Sequence, residues 1–406
     1  MTQPPLSNTQ IEWRSLFPGR GVASPTYLKD VVGPVERFDE RDCIFARMDL
    51  QPGTDRHDAY YSVHDEFRGA DEFLRAMPPL GGSAAPPDAA MMGVLFDSVL
   101  EIGRPAYNSG SYPATPSTGG SRVHLDPLEA SVKVKSVARH LGADVAGVGP
   151  LNPAFVYSHI GRTFYGQTWG EEIQLDHPHA ISIGVAMDYR FLRLYAPGFP
   201  VILESALAYA KAAFVAVNLA NYIRKLGYAA RAHHLRDYQL LSVPVAIDAG
   251  LGELGRSGVL ISREFGSAFR LATVTTDLPL APDGPVDLGV QQFCDECRLC
   301  AIACPAGAIP RGDKVAVRGV RRWKLAAGRC YHYWRTCGSD CSLCLVACPW
   351  SQPDAETAGS RPVRSEPTLE RETLAAVAAL RSTLPTWLRR YLGERVAGGA
   401  SAQEAE

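Results

Sequence analysis

The sequence predicts an α+β protein in which a mixed core of helices and strands is followed by a small cysteine-rich module. From Leu128 onward, amphipathic segments alternate with short apolar runs, a pattern typical of such a core. Eight cysteines then form two closely spaced sets, the first beginning at Cys294 and the second ending at Cys348. A chain of 406 residues can hold one sizeable core and one smaller module.

The first core elements follow from hydrophobic spacing. A helix is predicted over Leu128–Ala143, where Gly142 marks the end. Its apolar stripe consists of Val132, Val134, Val137, Ala138 and Leu141. The short apolar runs Asp144–Gly149 and Ile181–Tyr189 predict buried strands.

A long helix is predicted over Val201–Leu226, after Pro200 and before Gly227. Its residues at spacings of three and four predict a core-facing stripe of Leu203, Leu207, Ala210, Phe214, Val217 and Asn221. Further strands are predicted over Ser242–Ile247, Gly258–Ser262 and Arg270–Thr276.

Changes in composition divide the chain into four predicted regions. Residues 1–127 are irregular and are expected to wrap the core or to shape the mouth of a site. Residues 128–285 form the core and residues 286–355 form the cysteine module. Residues 356–406 hold a polar linker, an amphipathic helix over Leu369–Leu392 and a disordered tail.

The cysteine spacing indicates two iron–sulfur clusters. Phe293–Pro310 contains C-x2-C-x2-C-x3-C-P and Cys337–Trp350 contains C-x3-C-x2-C-x3-C-P, which are bacterial-ferredoxin motifs. In such motifs the cysteine before proline binds the other cluster. One [4Fe-4S] cluster is therefore assigned to Cys294, Cys297, Cys300 and Cys348, and the second to Cys304, Cys337, Cys341 and Cys344.

Two simpler explanations of the cysteines are disfavoured. Zinc needs four ligands in two pairs and has no use for a third cysteine followed by Cys-Pro. Disulfides are unexpected in a chain with no visible signal peptide. The x3 spacing after Cys337 departs from the usual x2, so Cys330 stays open as an alternative ligand of the second cluster.

Composition excludes several classes of partner. A net charge of -2 argues against nucleic acid and acidic lipid. No run of about 18 apolar residues occurs, so no membrane span is predicted. The first residues contain no twin arginine followed by an apolar stretch, so a cytoplasmic location is expected.

Several segments resemble the catalytic subunit of cobalamin-dependent reductive dehalogenases. They keep their order from about Leu128 to Trp350, over half of the chain. The segments are Gly142–Gly161, Glu204–Ala210, Asn218–Ala230 and Ser242–Leu280, which lead into the two cysteine motifs. The cysteine motifs alone are shared with many ferredoxins. The resemblance to reductive dehalogenases depends on the sequence Gly-Leu-Gly-Glu from Gly250 and the sequence Asp-Leu-Pro-Leu from Asp277.

The resemblance implies a nitroreductase-like, cobalamin-binding catalytic core over residues 128–285, with the corrinoid beside one cluster. It also implies the reaction R–X + 2 e⁻ + H⁺ → R–H + X⁻ on an organohalide. No D-x-H-x-x-G stretch occurs, so a base-off cofactor held by backbone and packing is expected. Glycines that let a backbone approach a flat ligand give the candidate contacts Gly250, Gly252, Gly255 and Gly258.

The resemblance also suggests the proton source. Tyr209 matches the family's tyrosine on the long helix, and Arg270 matches its downstream lysine or arginine. A nearby guanidinium stabilises a phenolate, which makes tyrosine a better acid. Asp237 is a candidate helper, because related epoxyqueuosine reductases use an aspartate in this neighbourhood. For each residue, ordinary packing or a surface ion pair is the alternative interpretation.

Aromatic walls for an apolar substrate are expected from Tyr157, Phe164, Tyr165 and Trp169, which are equally plausible as core. The basic segment Arg318–Lys324 is either a solvated face or a docking surface for an acidic electron donor. The expected donor is a separate ferredoxin, flavodoxin or reductase, and a homodimer is left open.

Two competing functions stay open at the level of sequence. An epoxyqueuosine reductase has the same cofactors, but it normally continues past its clusters into a tRNA-gripping repeat region. An iron–sulfur or corrinoid electron carrier, or a cobalamin chaperone, would account for the cysteines alone. The size of the core argues against a carrier or chaperone, because it is several times larger than a ferredoxin needs.

Overall fold

The computed structural model describes residues 19–78, 98, 121–164, 166–198 and 200–351. The predicted helix Leu369–Leu392 and the predicted C-terminal tail lie outside these residues. Tyr165 also lies outside them.

Helices and strands are both present, as the α+β class requires. The α-helices are α1 Ile44–Met48, α2 Asp55–Tyr61, α3 Asp65–Ala76, α4 Pro127–His140, α5 Tyr189–Tyr195, α6 Pro200–Lys225, α7 Ser242–Asp248, α8 Val290–Cys297, α9 Leu299–Ala303, α10 Ala327–Cys337 and α11 Leu343–Val346. Short 3₁₀ turns cover Thr26–Asp30, Glu40–Asp42, Pro153–Phe155 and Pro349–Ser351. The strands are β1 Arg20–Gly21, β2 Val145–Pro150, β3 His179–Ala186, β4 Ala230–His233, β5 Glu253–Leu254, β6 Leu260–Ile261, β7 Phe269–Thr276, β8 Val286–Asp287, β9 Val315–Val317 and β10 Val320–Arg322.

The core is an antiparallel sheet in the order β2-β3-β7-β4. The strands predicted over Asp144–Gly149, Ile181–Tyr189 and Arg270–Thr276 are confirmed as β2, β3 and β7. Because side chains alternate along a strand, Ile181 and Ile183 of β3 enter one core cluster with α4 and α6, whereas Ala180 faces a second cluster. The sheet is therefore covered on both faces.

Helix α4 begins where its sequence predicts. The Asp126 carboxylate accepts hydrogen bonds from the backbone N–H groups of Leu128 at 2.9 Å and Glu129 at 3.2 Å, and Pro127 stands at the first helical position. Val134 and Ala138 of the predicted stripe are buried. Val132 is 58% exposed, so its assignment to the stripe is wrong.

Helix α6 is confirmed as the long core helix, but the orientation predicted for it is wrong at two central positions. Leu207 and Phe214 are 42% and 46% exposed. The buried face is instead rich in alanine and valine, including Ala208, Ala212 and Val215. Small side chains let the helix lie close to the sheet, which spacing alone does not reveal.

Helix α6 is also long and apolar enough to cross a membrane by length and composition. Most of its residues are buried against β3, β4 and β7, which accounts for its apolar character.

The segment Ser242–Ile247 was predicted to be a strand and forms helix α7 instead. Pro244 lies in the first turn, where its missing N–H has no helical partner to lose. Short apolar runs do not separate a strand from a buried helix by periodicity, and here the helix packs on β2, β3 and β7. The strand predicted over Gly258–Ser262 is reduced to the two-residue β6.

The N-terminal region is attached to the cysteine module, and the module in turn packs against the core. β1 pairs with β8, and Val31 bridges to Val320 in β10. The module packs around Phe293, whose ring lies edge-on to Trp350 at 5.8 Å between centroids. Gly266 lies under this cluster with φ +57°, and a Cβ there would overlap the backbone of Trp350 and Ser351.

We expect Gly266→Ala to destabilise the protein by about 2–4 kcal/mol, because it adds a steric overlap to an unfavourable left-handed backbone. Gly284→Ala is the matched control: its φ is +80°, and no atom lies within 4 Å of the added Cβ. This control should cost about 1 kcal/mol. Thermal and denaturant unfolding would measure both, and equal costs would contradict the close packing described here.

Candidate functional site

A cavity of about 570 Å³ lies between the core, the N-terminal region and the β9–β10 hairpin. It is lined mainly by apolar and aromatic side chains. Its aromatic members are Tyr27, Phe38, Phe155, Tyr157, Tyr209, Tyr238 and Phe269. Its size and lining are those of a site for an organic ligand.

Tyr209 and Arg270, which are 61 positions apart in the sequence, meet at this cavity. The Arg270 guanidinium carbon lies 5.0 Å from the centroid of the Tyr209 ring. Among the residues that the structure describes, the Tyr209 hydroxyl has no hydrogen-bond partner. This hydroxyl can therefore serve a ligand in the cavity.

Arg270 is held by two polar side chains that were not predicted from the sequence. Its Nη2 donates to Ser205 Oγ at 2.6 Å and to Asp340 Oδ2 at 2.9 Å, and the Ser205 hydroxyl also bonds to Asp340. Asp340 is buried, which raises its pKa, while the charge of Arg270 acts in the opposite direction. Because Asp340 precedes Cys341, this ion pair joins the cavity to the cysteine module.

Asp237 does not line the cavity. Its carboxylate accepts hydrogen bonds from Arg231 Nη2 at 2.7 Å and from Gln167 Nε2 at 3.1 Å. Burial raises the pKa of Asp237, and Arg231 opposes this shift. Asp237, the candidate helper in proton donation, is therefore a buried ion-pair partner of Arg231 at the base of the turn that follows β4.

The same turn brings two other residues, His234 and Tyr238, to the cavity. Tyr238 is partly buried and stacks with Arg162, whose guanidinium carbon lies 4.1 Å from the ring centroid. Glu40 in the N-terminal region fixes Arg162 through bonds of 2.8 Å from Nε and 2.7 Å from Nη2. The N-terminal region thus helps to form the wall of the site, although three α-helices lie in the part that the sequence predicted to be irregular.

Of the predicted aromatic walls, Tyr157 lines the cavity. Phe164 is exposed and stacks with Arg236 at 4.8 Å, and Trp169 lies near Arg41 at 5.4 Å. These two belong to other surfaces.

Of the predicted glycine contacts, Gly258 lines the cavity, whereas Gly250, Gly252 and Gly255 lie against protein. A Cβ at Gly252, where φ is +155°, would overlap the carbonyl oxygen of Ile261. Gly250 similarly faces the Gly284 carbonyl and Gly255 faces the Ile261 side chain. Close packing against protein atoms accounts for these three glycines.

The cysteines gather in the module as two adjoining groups. Burial raises the pKa of Cys300, with added effects from Cys294 and Cys348. Burial likewise raises the pKa of Cys344, with effects from Cys330 and Cys304. Within the described ranges no three His, Cys, Asp or Glu side chains converge on a single-ion site. A cubane differs from a single ion because each thiolate binds its own iron, so its ligands surround a volume.

Cys330 and Cys337 have different surroundings. Burial raises the pKa of Cys330 to about 11, and Cys304 adds to this shift. Cys337 instead directs its thiol to the carbonyl oxygens of Ser339 at 3.2 Å and Trp334 at 3.7 Å. The alternative ligand thus lies among the cysteines of the second group.

The basic segment Arg318–Lys324 is partly internal. Arg318 forms an ion pair with Asp42 at 3.0 Å. Trp323 is buried between Arg256, at 4.5 Å from its ring centroid, and Lys314, at 4.8 Å. Several of its side chains therefore have structural partners.

The cysteine module matches the family model described as a 4Fe-4S dicluster domain over residues 293–352. The class defined by this match is an iron–sulfur protein with a dicluster domain.

The larger core extends the comparison. A tetrachloroethene reductive dehalogenase of Desulfitobacterium hafniense is 35% identical over 274 residues, covering 55% of this chain and 48% of the relative. The enzyme of the same name from Sulfurospirillum multivorans is 32% identical over 259 residues, covering 56% and 51%. The chain thus spans about half the length of these relatives. An epoxyqueuosine reductase of Lactococcus garvieae is a weaker relative, 33% identical over 128 residues, covering 28% and 32%.

Solved structures show the same fold. The catabolic reductive dehalogenase NpRdhA, in its K488Q variant, aligns with a TM-score of 0.66 at 24% identity, covering 93% of this chain and 48% of that one. A reductive dehalogenase whose structure is described in terms of B12-dependent dehalogenation aligns at 0.64 and 24%, covering 98% and 52%. The predicted resemblance to reductive dehalogenases is confirmed, and the chain has their fold.

Substitutions at Arg270 and Asp340 should have non-additive effects on the free energy of unfolding. We expect Arg270→Gln and Asp340→Asn each to destabilise the protein by about 3 kcal/mol, because each leaves a buried polar partner. The double variant should cost about 1–3 kcal/mol less than the sum. The control is the more exposed pair Arg20–Asp287, whose coupling should be about 0–1 kcal/mol. Additive effects at Arg270 and Asp340 would contradict the ion pair.

Proposed function

We propose that this chain catalyses reductive dehalogenation, R–X + 2 e⁻ + H⁺ → R–H + X⁻. The observation that carries the proposal is the meeting of Tyr209 and Arg270 at an apolar cavity that Arg270 joins to the cysteine module through Asp340. The reaction requires both a proton and a source of electrons, and this arrangement supplies candidates for each. The substrate is a small organohalide, and the electrons come from a separate protein such as a ferredoxin, a flavodoxin or a reductase.

The cysteines fit two [4Fe-4S] clusters. Buried thiols with raised pKa values have little tendency to ionise alone, and binding to iron supplies the compensating positive charge. Cys294, Cys297, Cys300 and Cys348 hold one cluster. For the second, Cys304, Cys341 and Cys344 are completed by Cys330 in preference to Cys337, because Cys330 interacts with Cys304 and Cys344 whereas the Cys337 thiol donates to backbone carbonyl oxygens.

The cavity also fits a corrinoid beside these clusters. Its wall contains Gly258 and the apolar residues Val243, Val259 and Leu260, which would hold a flat ring by packing. Ser267 reaches from the cavity wall to Ser351 near Cys348, at 2.7 Å between hydroxyl oxygens. A bound base-off cobalamin would supply a low-valent cobalt able to cleave a carbon–halogen bond.

Tyr209 is the proposed proton donor. Its hydroxyl gives the proton that replaces the halogen, and Arg270 stabilises the phenolate that remains. Asp340 and Ser205 keep the guanidinium beside the ring. The mainly apolar lining lowers the local dielectric constant, which strengthens the electrostatic effect of Arg270 on the phenolate.

Anaerobic reconstitution with iron, sulfide and hydroxocobalamin tests the proposal as a whole. About eight irons and one corrinoid per chain are expected from two cubanes and one cobalt. Halide release with a reduced viologen completes the test. Corrinoid binding without halide release would favour a carrier or chaperone, and salt-sensitive binding of tRNA would favour an epoxyqueuosine reductase.

Tyr209→Phe should retain both cofactors and lose about 10²- to 10⁴-fold in kcat, because only the acidic hydroxyl is removed. Tyr195→Phe makes the same chemical change at a half-exposed tyrosine outside the cavity and should leave the rate unchanged. Unchanged turnover in Tyr209→Phe would remove this residue from its proposed role.

Cys330→Ser should lower the iron content by about half, since a cubane with three thiolates is easily lost. Cys337→Ser is the matched control and should retain both clusters. Iron analysis and electron paramagnetic resonance of the reduced proteins would measure the difference. The opposite pattern would assign the fourth thiolate of the second cluster to Cys337.

A further inference from the structure

Arg256 is a buried cation in the turn between β5 and β6, and the proposed chemistry does not use it. Only 1% of its surface is exposed. Transfer of a guanidinium from water into a protein interior is costly unless hydrogen bonds and an opposite charge compensate for the lost hydration. The surroundings of Arg256 therefore have to supply both.

Backbone carbonyl groups satisfy the hydrogen bonds of this guanidinium. Its Nε donates to the carbonyl oxygen of Cys294 at 2.9 Å. Its Nη1 donates to the carbonyl oxygens of Pro310 at 3.0 Å and Gly312 at 2.8 Å. The Trp323 ring covers the guanidinium, whose carbon lies 4.5 Å from the ring centroid. These partners are neutral, so they satisfy the N–H groups and leave the positive charge in place.

The carboxylate beside Arg256 belongs to Asp295 and faces solvent. Its Oδ1 lies 3.8 Å from the Arg256 Nη2, and the Asp295 side chain is 54% exposed. Water screens an exposed carboxylate, so Asp295 compensates for little of the buried charge. Among the residues that the structure describes, no other carboxylate lies within 4.0 Å of the guanidinium.

The other three buried arginines that the structure describes have a source of negative charge within the protein. Arg47 and Arg162 each form an ion pair with a buried carboxylate. Arg224 lies in the last turn of helix α6, where the helix dipole places partial negative charge. Arg256 differs from all three, because its described neighbours include no buried counter-charge of either kind.

The thiol that lies against Arg256 is that of Cys294, one of the four cysteines assigned to the first cluster. Burial raises the pKa of the Cys294 thiol, whereas a hydrogen bond from the Arg256 backbone N–H and the charge of Arg256 both oppose this shift. Cys300, assigned to the same cluster, also interacts with the charge of Arg256. A cubane held by four thiolates carries a net negative charge, and one-electron reduction increases that charge. A bound cluster therefore supplies the missing counter-charge.

We propose that Arg256 is a positioning residue whose buried charge raises the reduction potential of the cluster that contains Cys294. This inference rests on the two clusters of the proposed function and adds a difference between them. A fixed positive charge stabilises the more negative, reduced state of a cluster, and a low local dielectric constant strengthens the effect. Beside the second group of cysteines, Arg270 is instead paired with the buried carboxylate of Asp340. Electrons therefore favour the first cluster over the second.

The test is a redox titration of the reconstituted full chain, followed by electron paramagnetic resonance. Arg256→Gln removes the charge, so at a fixed ambient potential it should raise the oxidised-to-reduced ratio of one cluster by about 10- to 100-fold. The other cluster should keep its midpoint potential. For a one-electron couple each factor of ten is 59 mV, so the affected midpoint should move about 60–120 mV more negative. An arginine with only a structural role would leave both midpoints unchanged.

Three further variants separate the effect of charge from that of folding. Arg256→Lys keeps the charge and should restore most of the difference in midpoint. Arg256→Met is a second uncharged variant if the glutamine variant does not fold. Arg298→Gln is the matched control, because Arg298 follows Cys297 directly but is exposed. Water and salt screen its charge, so the ratio should change by less than about threefold.

Each outcome decides for or against the inference. Unchanged midpoints in Arg256→Gln or Arg256→Met overturn it, as does an equal shift in Arg298→Gln. Loss of folding or of iron in both uncharged variants also overturns it and assigns Arg256 to the assembly of the module. A wild-type chain that binds no cluster contradicts this inference and the proposed function together. The titration contains no organohalide, so the predicted shift without any halide release supports the inference and contradicts only the proposed dehalogenation.

Discussion

The buried ion pair between Arg270 and Asp340 is the interaction on which the site depends. Arg270 is the second residue of strand β7 and contacts the ring of Tyr209, while Asp340 belongs to the loop that carries Cys341. The pair costs desolvation energy, which its hydrogen bonds and Ser205 offset. Its effect is positional, because the guanidinium stays beside the tyrosine only while the cysteine loop is folded against the core. Assembly of the clusters and formation of the cavity are thereby physically linked.

The remaining structure keeps the apolar cavity apart from the cysteine module. The sheet and helix α6 form a rigid, apolar support, and alanine and valine residues bring the helix close to β7. The N-terminal region closes the cavity, and its Glu40 fixes Arg162 against Tyr238. The cysteine module lies on one side and a largely apolar cavity lies on the other. This arrangement supports the proposed function, in which electrons would pass from clusters in the module to an organic ligand in the cavity.

Much of this organisation could be predicted from local patterns. The cysteine spacing predicted the dicluster module, and periodicity predicted β2, β3, β7 and α6. The meeting of Tyr209 with Arg270 followed from a family resemblance, since nothing in their spacing brings them together.

The misses have physical causes. The run from Ser242 to Ile247 is apolar after its first residue, and only its packing against both β2 and β7 decides for a helix. The glycines near Gly252 accommodate close protein backbones, which looks the same in sequence as accommodation of a ligand. Asp340 pairs with Arg270, which lies 70 positions away in the sequence. The His234 ring has no hydrogen-bond partner among the described residues. Local sequence does not reveal either environment.

The most direct measurement is a single turnover by protein that has been reduced and then freed of reductant. An organohalide is mixed with it, and halide release is followed together with the optical spectrum of the clusters. The account predicts one halide for every two electrons lost, with cluster reoxidation at the same rate as halide release. Reoxidation at a rate that does not depend on the organohalide, with no halide formed, would contradict it.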